Sequence, residues 1–169
     1  RKANSGHPGG AMSSADFIYL LYKDYLKFNP KDPNWFDRDR FILSGGHMSM
    51  LQYGILHLVG WMKLSEIKKF RQLGSQTPGH PEVEIPGVEC TTGPLGQGFA
   101  MGVGMALAEA YLSNLISNND KESKKLIDHF TYVLATDGDL QEPVALGAAA
   151  IAGHLGLNKL VVSYDANDA

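Results

Sequence analysis

The sequence has only one cysteine, Cys90, among its 169 residues, so it cannot form an internal disulfide. This scarcity is typical of a reducing compartment, and we expect a cytoplasmic location. The longest run of apolar and glycine residues, 98–108, ends at Glu109 and is too short to cross a bilayer. We therefore expect no membrane partner, and the first residues show no targeting segment.

Clusters of positive charge are also missing. The formal net charge is -3, and the densest basic group is Lys68-Lys69-Phe70-Arg71, so we expect no nucleic-acid partner. The sequence lacks HExxH and CxxC spacings, which argues against a zinc site. With 44% apolar and 20% charged residues, the composition predicts one globular domain over residues 1–169.

A strand–helix–strand unit is predicted near the end of the chain. Residues 131–135 form an apolar, β-branched run without polar alternation, which is typical of a strand buried on both faces. A small-residue segment from Pro143 to Leu155 can form three helical turns, and a second apolar run covers residues 160–164. Such units have parallel strands, so we predict an α/β fold with a mostly parallel sheet flanked by helices.

Asp137 and Asn167 follow these two predicted strands. Because parallel strands end at the same edge of a sheet, the two side chains should lie close together. A carboxylate and an amide oxygen suit Mg²⁺, and Gly138 lets a ligand approach the backbone closely. On these residues alone, a solvated aspartate in an acidic turn is the simpler interpretation, and both remain open.

Periodicity and turn residues predict the other segments. Glycine and proline predict a loop over residues 5–10 and an ordered binding loop over 75–98, and the polar, charged run SNNDKESKK predicts a solvated linker over 117–125. We also predict a helix after Ser13 or Ser14 whose apolar face consists of Ile18, Leu21, Tyr22, Tyr25 and Leu26. A strand is predicted at 41–43. It is followed by a helix from about 44–47, with Leu51, Ile55, Leu58 and Met62 on one stripe, and by helices at 65–73 and 99–116. The many small residues of the last helix predict burial against another element or subunit.

Three histidines, His7, His47 and His80, lie beside glycine in the segments SGHPGG, SGGHMS and PGHPE. Glycine leaves space around an imidazole and proline restricts a loop, so we interpret these rings as lining a pocket for a polyhydroxylated or phosphorylated substrate. We interpret His57, His129 and His154 as structural. The segment TTGPLGQG at 91–98 is either an anion-binding nest or a tight turn.

Together these motifs resemble the N-terminal, thiamine diphosphate-binding domain of the transketolase family. SGHPG, RFILSGGH, TPGHPE, GVECTTGPLGQG and the tract from DGDLQE to VVSYDAN occur in the family's order over essentially the whole chain. PGHPE and TTGPLGQG separate transketolase-like enzymes from deoxyxylulose-phosphate synthases and 2-oxoacid dehydrogenases, whereas dihydroxyacetone synthase stays open. The resemblance implies the thiamine-diphosphate-binding fold. Because the chain lacks an initiator methionine and stops soon after its last strand, we expect an incomplete sheet from a longer multi-domain chain or a split subunit.

The resemblance also implies a role for each candidate site residue. Asp137, Asn167 and the main-chain oxygen of Ala169 would hold Mg²⁺ (or Ca²⁺). Gly138, His47 and Asn167 would lie at the diphosphate of thiamine diphosphate, Gly93, Pro94 and Leu95 would flank its aminopyrimidine, and Glu142 would lie near the linked cofactor sites of a homodimer. His7 and His80 would be catalytic, hydrogen-bonding sugar hydroxyls and moving protons.

The implied activity is transfer of a two-carbon ketol unit from a ketose phosphate to an aldose phosphate, in the pentose phosphate pathway. Further family residues needed for this lie beyond Ala169, so we expect the chain to be inactive without the remaining domains or a partner subunit. Thr136 and Pro143 stand where the family usually has glycine, and Gly147 where it has a glutamate. Thr136 would be strained at positive φ, or could adopt an ordinary strand-end conformation. The alternatives are a non-catalytic paralogue acting as a binding module and, fitting the Asp-Gly turn only, a Mg²⁺-dependent phosphohydrolase.

Overall fold

The computed structural model describes residues 2–119 and 126–166 of the chain. Three strands form one sheet with helices on both faces. The strands are β1 (Arg40–Leu43), β2 (Thr131–Thr136) and β3 (Leu160–Asp165). The helices are α1 (Pro8–Ser13), α2 (Ala15–Leu20), α3 (Ser49–Leu58), α4 (Leu64–Ile67), α5 (Gln97–Asn119), α6 (Asp137–Gln141) and α7 (Pro143–Leu155).

The central strand is β2, which pairs in parallel with β1 on one side and β3 on the other. Leu134 lies opposite Leu43, and Thr136 lies opposite Asp165. All three strands therefore end at one edge of the sheet. This arrangement confirms the predicted α/β fold with a parallel sheet flanked by helices.

Alternate residues of β1 and β2 point to opposite faces of the sheet, as the two-residue period of a strand requires. One face packs against α2 and α3, and the other packs against α5 and α7. The first cluster contains Phe41, Leu43, Leu134, Ile18, Leu21, Tyr22, Leu51 and Ile55. The second contains Ile42, Val133, Ala135, Phe99, Val103 and Ala145. Strand β2 is buried on both faces, as predicted, whereas β3 is half exposed.

The irregular segment over residues 68–96 is held on the domain by its own small core and by hydrogen bonds. Ile85 and Val88 pack against Tyr53 and Leu56 of α3. The Tyr53 hydroxyl donates to the carbonyl of Pro78 at 2.9 Å, and other backbone groups of the segment bond to α3 in the same way. These contacts agree with the prediction of an ordered loop.

The sequence predicted no apolar segment long enough to cross a bilayer, and helix α5 does not agree with that prediction. In the part of the chain that the structure describes, one helical stretch, Gln97–Ile116, is long and apolar enough to cross a membrane by length and composition alone. Core helices of soluble domains pass the same test. One side of α5 packs on the sheet, and its buried Glu109 pairs with Lys159 at 2.6 Å. The side chains of Leu107, Leu112 and Leu115 are exposed.

Four predictions about the helices and loops are wrong. The segment over 5–10 was expected to be a loop, but α1 begins at Pro8, where proline suits the first turn of a helix. The helix expected over 65–73 ends at Ile67, and Leu73 is fully exposed. Of the predicted α3 stripe, Leu58 is exposed and Met62 lies beyond the helix. Residues 117–119 belong to α5 rather than to a linker, and residues 120–125 lie outside the described part of the chain.

Asp39 joins two segments at the opposite edge of the sheet, where the strands begin. Its carboxylate is 4% exposed and accepts hydrogen bonds from the backbone N–H of Lys27 at 2.8 Å and of Phe130 at 2.7 Å. The residue therefore fixes the chain just before β2 against the chain just before β1.

Replacing Asp39 with alanine should lower the free energy of unfolding by about 3 kcal/mol, because two backbone N–H groups lose a charged acceptor. Urea denaturation measures this change. The matched variant Asp24→Ala alters an exposed aspartate and should stay within about 0.5 kcal/mol of the wild type. A loss below about 1 kcal/mol for Asp39→Ala would show that these bonds do not support the fold.

Candidate functional site

The carboxyl-terminal edge of the sheet brings distant parts of the chain together. Strand β1 continues into Ser44 and Gly45 and then a 3-10 turn over Gly46–Met48. Strand β2 runs directly into α6, and β3 ends at Asp165. Helix α1 is fastened to the same edge, because the Ser13 hydroxyl donates to the Asp165 carboxylate at 3.1 Å.

Thr136 and Asp139 form a capping box at the start of α6. The Thr136 hydroxyl accepts from the Asp139 N–H, and the Asp139 carboxylate accepts from the Thr136 N–H at 3.0 Å. Thr136 has φ -110 and ψ 169, an extended conformation open to any residue, so it carries no backbone strain. The turn holds Asp137 at the strand end, where its carboxylate accepts from the Gly138 N–H at 2.9 Å.

The end of the irregular segment is fastened to both neighbouring strand ends. The Gly96 N–H donates to Asp139 at 2.8 Å, and the Phe99 N–H donates to the Ser44 hydroxyl at 2.9 Å. Gly96 has φ +77, and a Cβ there would lie 2.7 Å from the Cβ of Glu142. This position therefore requires glycine.

The predicted cofactor-binding residues on two different loops adjoin each other. A Cβ on Gly138 would lie 3.1 Å from Leu95 Cδ1, so the turn after β2 touches the 93–95 segment. Glu142 lies at the start of α7 beside Gly96. Pro94, which stands between Gly93 and Leu95 in the sequence, is exposed. Asn167 and Ala169 lie outside the described residues, so the predicted metal ligand set stays a prediction.

The same edge brings the three loop histidines together. The rings of His7 and His47 meet edge to face, with centroids 5.4 Å apart. The His80 ring packs against Gly93, because a Cβ on Gly93 would lie 3.3 Å from His80 Cδ2. His7 and His80 are exposed and His47 is half-buried, so all three rings border a surface rather than the core.

Two of these rings are neutral at neutral pH. Partial burial lowers the pKa of His47 below its usual value of 6.5, and the nearby charge of His7 lowers it further, against opposing effects of two carboxylates. Partial burial also lowers the pKa of His80, and Arg71 and His7 add to the effect. A neutral imidazole both donates and accepts a hydrogen bond, as a ring facing hydroxyl groups requires.

The lowered pKa values predict a loss of stability on the acid side of 6.5. Below that pH the unfolded chain binds more protons at His47 and His80 than the folded chain does, so the free energy of unfolding falls with the pH. Burial lowers the pKa of His129 with the same sign. Urea denaturation between about pH 7.5 and about pH 5.5 should show a smaller loss for His47→Gln than for the wild type. The variant His154→Gln, at an exposed histidine, should keep the wild-type slope, and equal slopes in all three proteins would contradict this assignment.

Two further histidines agree with a structural role. His57 makes a ring hydrogen bond to the Met62 carbonyl at 2.9 Å, and His154 lies exposed in the last turn of α7. Neither reaches the sheet edge that carries the candidate site.

A cavity of ≈ 1210 Å³ opens on another side of His7. Its walls are mostly apolar and come from the N-terminal segment with α1, from α3, and from α4 with the residues just after it; Met50, Ile55 and Phe70 are among them. His47, Asp137 and Gly138 do not line it. Apolar walls do not suit a diphosphate, so this cavity is separate from the candidate cofactor site.

Comparison with known proteins decides the family. The whole chain, residues 1–169, matches the family model of the transketolase thiamine diphosphate binding domain. The chain belongs to the transketolase family. It is 56% identical to a transketolase of Staphylococcus aureus (strain MW2) over 168 residues, which are 99% of this chain and 25% of that protein.

Solved transketolase structures share the fold. The transketolase from Leishmania mexicana superposes with a TM-score of 0.93 at 48% identity, over 98% of this chain and 24% of that one. A transketolase from Pichia stipitis in complex with sedoheptulose 7-phosphate gives 0.84 at 46% identity, over 96% and 24%. The chain thus spans about a quarter of the length of its transketolase relatives.

The structure accommodates Pro143 and Gly147, two of the departures noted in the sequence. Pro143 occupies the first turn of α7, where a missing N–H has no cost. Gly147 is exposed, and a Cβ there would meet nothing within 4 Å, so no described contact depends on a side chain at that position.

Sequence reasoning missed three residues that shape the site: Ser44, Asp139 and Asp165. Thr136 and Asp139 have the spacing of a capping box, so the sequence could have indicated the hydrogen bonds between these two residues. Ser44 and Asp165 bond to partners far away in sequence, and no local pattern marks them.

The described residues at this edge offer one carboxylate, Asp137, to a metal–diphosphate group, and they include no cluster of three His, Cys, Asp or Glu side chains that could hold a metal by itself. Asp137 presents a carboxylate beside a glycine, which is the ligand chemistry that Mg²⁺ takes. The buried hydroxyl of Thr92 has no hydrogen-bond partner in the described part of the structure, and it lies where the 44–48 and 92–96 segments meet. A polar ligand at this edge would satisfy such an atom.

Proposed function

We propose that the protein is the N-terminal part of a transketolase that transfers a two-carbon ketol unit from a ketose phosphate to an aldose phosphate. The proposal rests on one observation: the Asp137-Gly138 turn, the 93–96 segment and three histidines converge on one sheet edge. The sugar complex of the Pichia stipitis relative supports sugar phosphates as the substrate class.

Asp137, Asn167 and the main-chain oxygen of Ala169 would hold Mg²⁺ or Ca²⁺, and the cation would bind the diphosphate. Oxygen ligands suit both cations, and Mg²⁺ commonly combines one or two carboxylates with phosphate oxygens. Gly138 leaves the adjoining backbone open to the diphosphate, and the neutral ring of His47 can donate a hydrogen bond to a phosphate oxygen.

When bound, thiamine diphosphate supplies the nucleophilic carbon and electron sink that breaking and forming a carbon–carbon bond requires. Gly93, Pro94 and Leu95 would flank its aminopyrimidine and fix its orientation against the turn after β2. His7 and His80 would hydrogen-bond the sugar hydroxyls. Because its pKa is lowered, the His80 ring is neutral and can take a proton from a hydroxyl group.

The rest of the catalytic machinery would come from the remaining domains or a partner subunit. The quarter-length coverage of relatives supports this proposal, as do exposed apolar side chains on α5, α7 and β3, which offer surface for further packing. We propose a homodimer with Glu142 near its linked cofactor sites. We also propose a cytoplasmic location in the pentose phosphate pathway, which the single cysteine supports.

Replacing Asp137 with asparagine should weaken binding of thiamine diphosphate in the presence of Mg²⁺ by about 100-fold, because the cation loses its charged ligand. Isothermal titration calorimetry measures the affinity, and chelation of the cation should weaken wild-type binding comparably. Asp24→Asn makes the same change at an exposed site and should bind normally. Unchanged affinity in Asp137→Asn would remove this residue from the ligand set.

The full-length protein should catalyse two-carbon transfer with thiamine diphosphate and Mg²⁺, whereas the segment 1–169 alone should show no turnover. A coupled assay of ketose phosphate consumption tests both proteins. Turnover by the purified segment would refute the proposed division of catalytic residues. A full-length protein that neither binds thiamine diphosphate nor transfers the unit would favour a non-catalytic binding module.

A further inference from the structure

Asp139 is a buried carboxylate that the proposed function does not use. Its side chain is 0% exposed, although charged groups are rarely buried without a partner. Among the described residues, the ion pairs of the domain lie elsewhere and none involves Asp139. Its charge is instead met by hydrogen-bond donors.

The two oxygens of this carboxylate serve different loops. Oδ2 accepts from the Thr136 N–H at 3.0 Å and from the Thr136 hydroxyl at 3.2 Å. Oδ1 accepts from the Gly96 N–H at 2.8 Å. One side chain therefore joins the end of β2 to the segment that leads into α5, across 43 residues of sequence.

The surroundings of Gly96 make this bond hard to replace. Gly96 is buried in the folded domain, so loss of the Asp139 acceptor leaves its N–H without a partner unless the segment opens to water. Its φ of +77 and the nearby Glu142 Cβ exclude a side chain that could compensate. An amide at position 139 has one acceptor oxygen and one donor group, so it cannot serve Gly96 and the backbone of Thr136 together.

We infer that Asp139 is a positioning residue that fixes the 93–96 segment against the Asp137-Gly138 turn. This inference rests on the proposed function, in which the turn lies at the diphosphate and the 93–95 segment at the aminopyrimidine. The two ends of one cofactor would then be bound by loops whose separation is set by a single carboxylate. A residue in this role touches neither sugar nor cofactor, so its loss acts on cofactor affinity and leaves the bound complex competent.

The test is the full-length enzyme carrying Asp139→Asn. Its dissociation constant for thiamine diphosphate with Mg²⁺ should rise by about 10- to 100-fold, the effect of losing one hydrogen bond to a charged group. At saturating cofactor, kcat and the KM for each sugar phosphate should stay within about threefold of the wild type. Asp24→Asn is the matched control at an exposed aspartate and should leave all three constants unchanged.

A second variant distinguishes the hydrogen bonds between Asp139 and Thr136 from the hydrogen bond between Asp139 and Gly96. Thr136→Val keeps the side-chain shape and removes the hydroxyl, but leaves the bond from Gly96 to Asp139 intact. It should weaken cofactor binding by less than about threefold, because the cross-loop bond persists. Equal losses in Thr136→Val and Asp139→Asn would overturn the inference, as would normal cofactor affinity or a loss confined to kcat in a folded Asp139→Asn protein.

Hydrogen exchange at Gly96 gives a readout that does not depend on activity. The Gly96 amide should be protected in the wild type and in Thr136→Val, relative to Gly74 in an exposed loop, and should lose protection in Asp139→Ala, which removes both acceptor oxygens. If Asp139→Ala does not fold, exchange in the wild type and in Thr136→Val decides, and a Gly96 amide that exchanges as fast as Gly74 overturns the inference. A wild-type protein without cofactor binding or turnover would refute the proposed function, while hydrogen exchange at Gly96 would still test its contact with Asp139.

Discussion

The parallel pairing of β1 and β3 with β2 is the constraint on which the rest of the structure depends. Because the strands share a direction, the backbone after each one emerges at the same edge of the sheet. The Ser44 N–H extends the ladder past β1 by donating to Leu134, and Thr136 still faces Asp165 at the end of β3. Residues far apart in sequence therefore share one edge without long side chains to reach it.

Much of the fold could be predicted because buried strands and helices have recognisable patterns of apolar residues in the sequence. The central residues of β1 and β2, 41–43 and 132–135, are unbroken apolar runs, and α7 is bounded by a proline and by the left-handed Gly156 with φ 61. The pattern fails where a tertiary contact competes with a local preference. Beyond Ile67 the backbone continues in i+3 turns, with the Lys69 N–H donating to the Glu66 carbonyl at 2.9 Å, and the Thr77 hydroxyl donates to the same carbonyl at 2.8 Å.

The site was less accessible to sequence reasoning than the fold. Glycine beside histidine drew attention to three segments, but it could not show that the rings of His7 and His47 meet, since that contact joins two segments with no local relation. The close approach of Gly46 to Gly93, where a Cβ would lie 2.8 Å from a backbone nitrogen, depends on two segments with no local relation. Asp139 shows the same division: its capping contact is local, and its contact with Gly96 is not.

The contact between Asp39 and Phe130 spans 91 residues, and so sets how the domain must be assembled. Contacts of such long sequence separation form slowly, because the intervening chain has to be closed into a loop first. During translation β1 and α3 are synthesised well before β2, so the apolar side chains of β1 and α3 cannot yet pack against β2. These side chains therefore stay exposed while the irregular segment and α5 are synthesised.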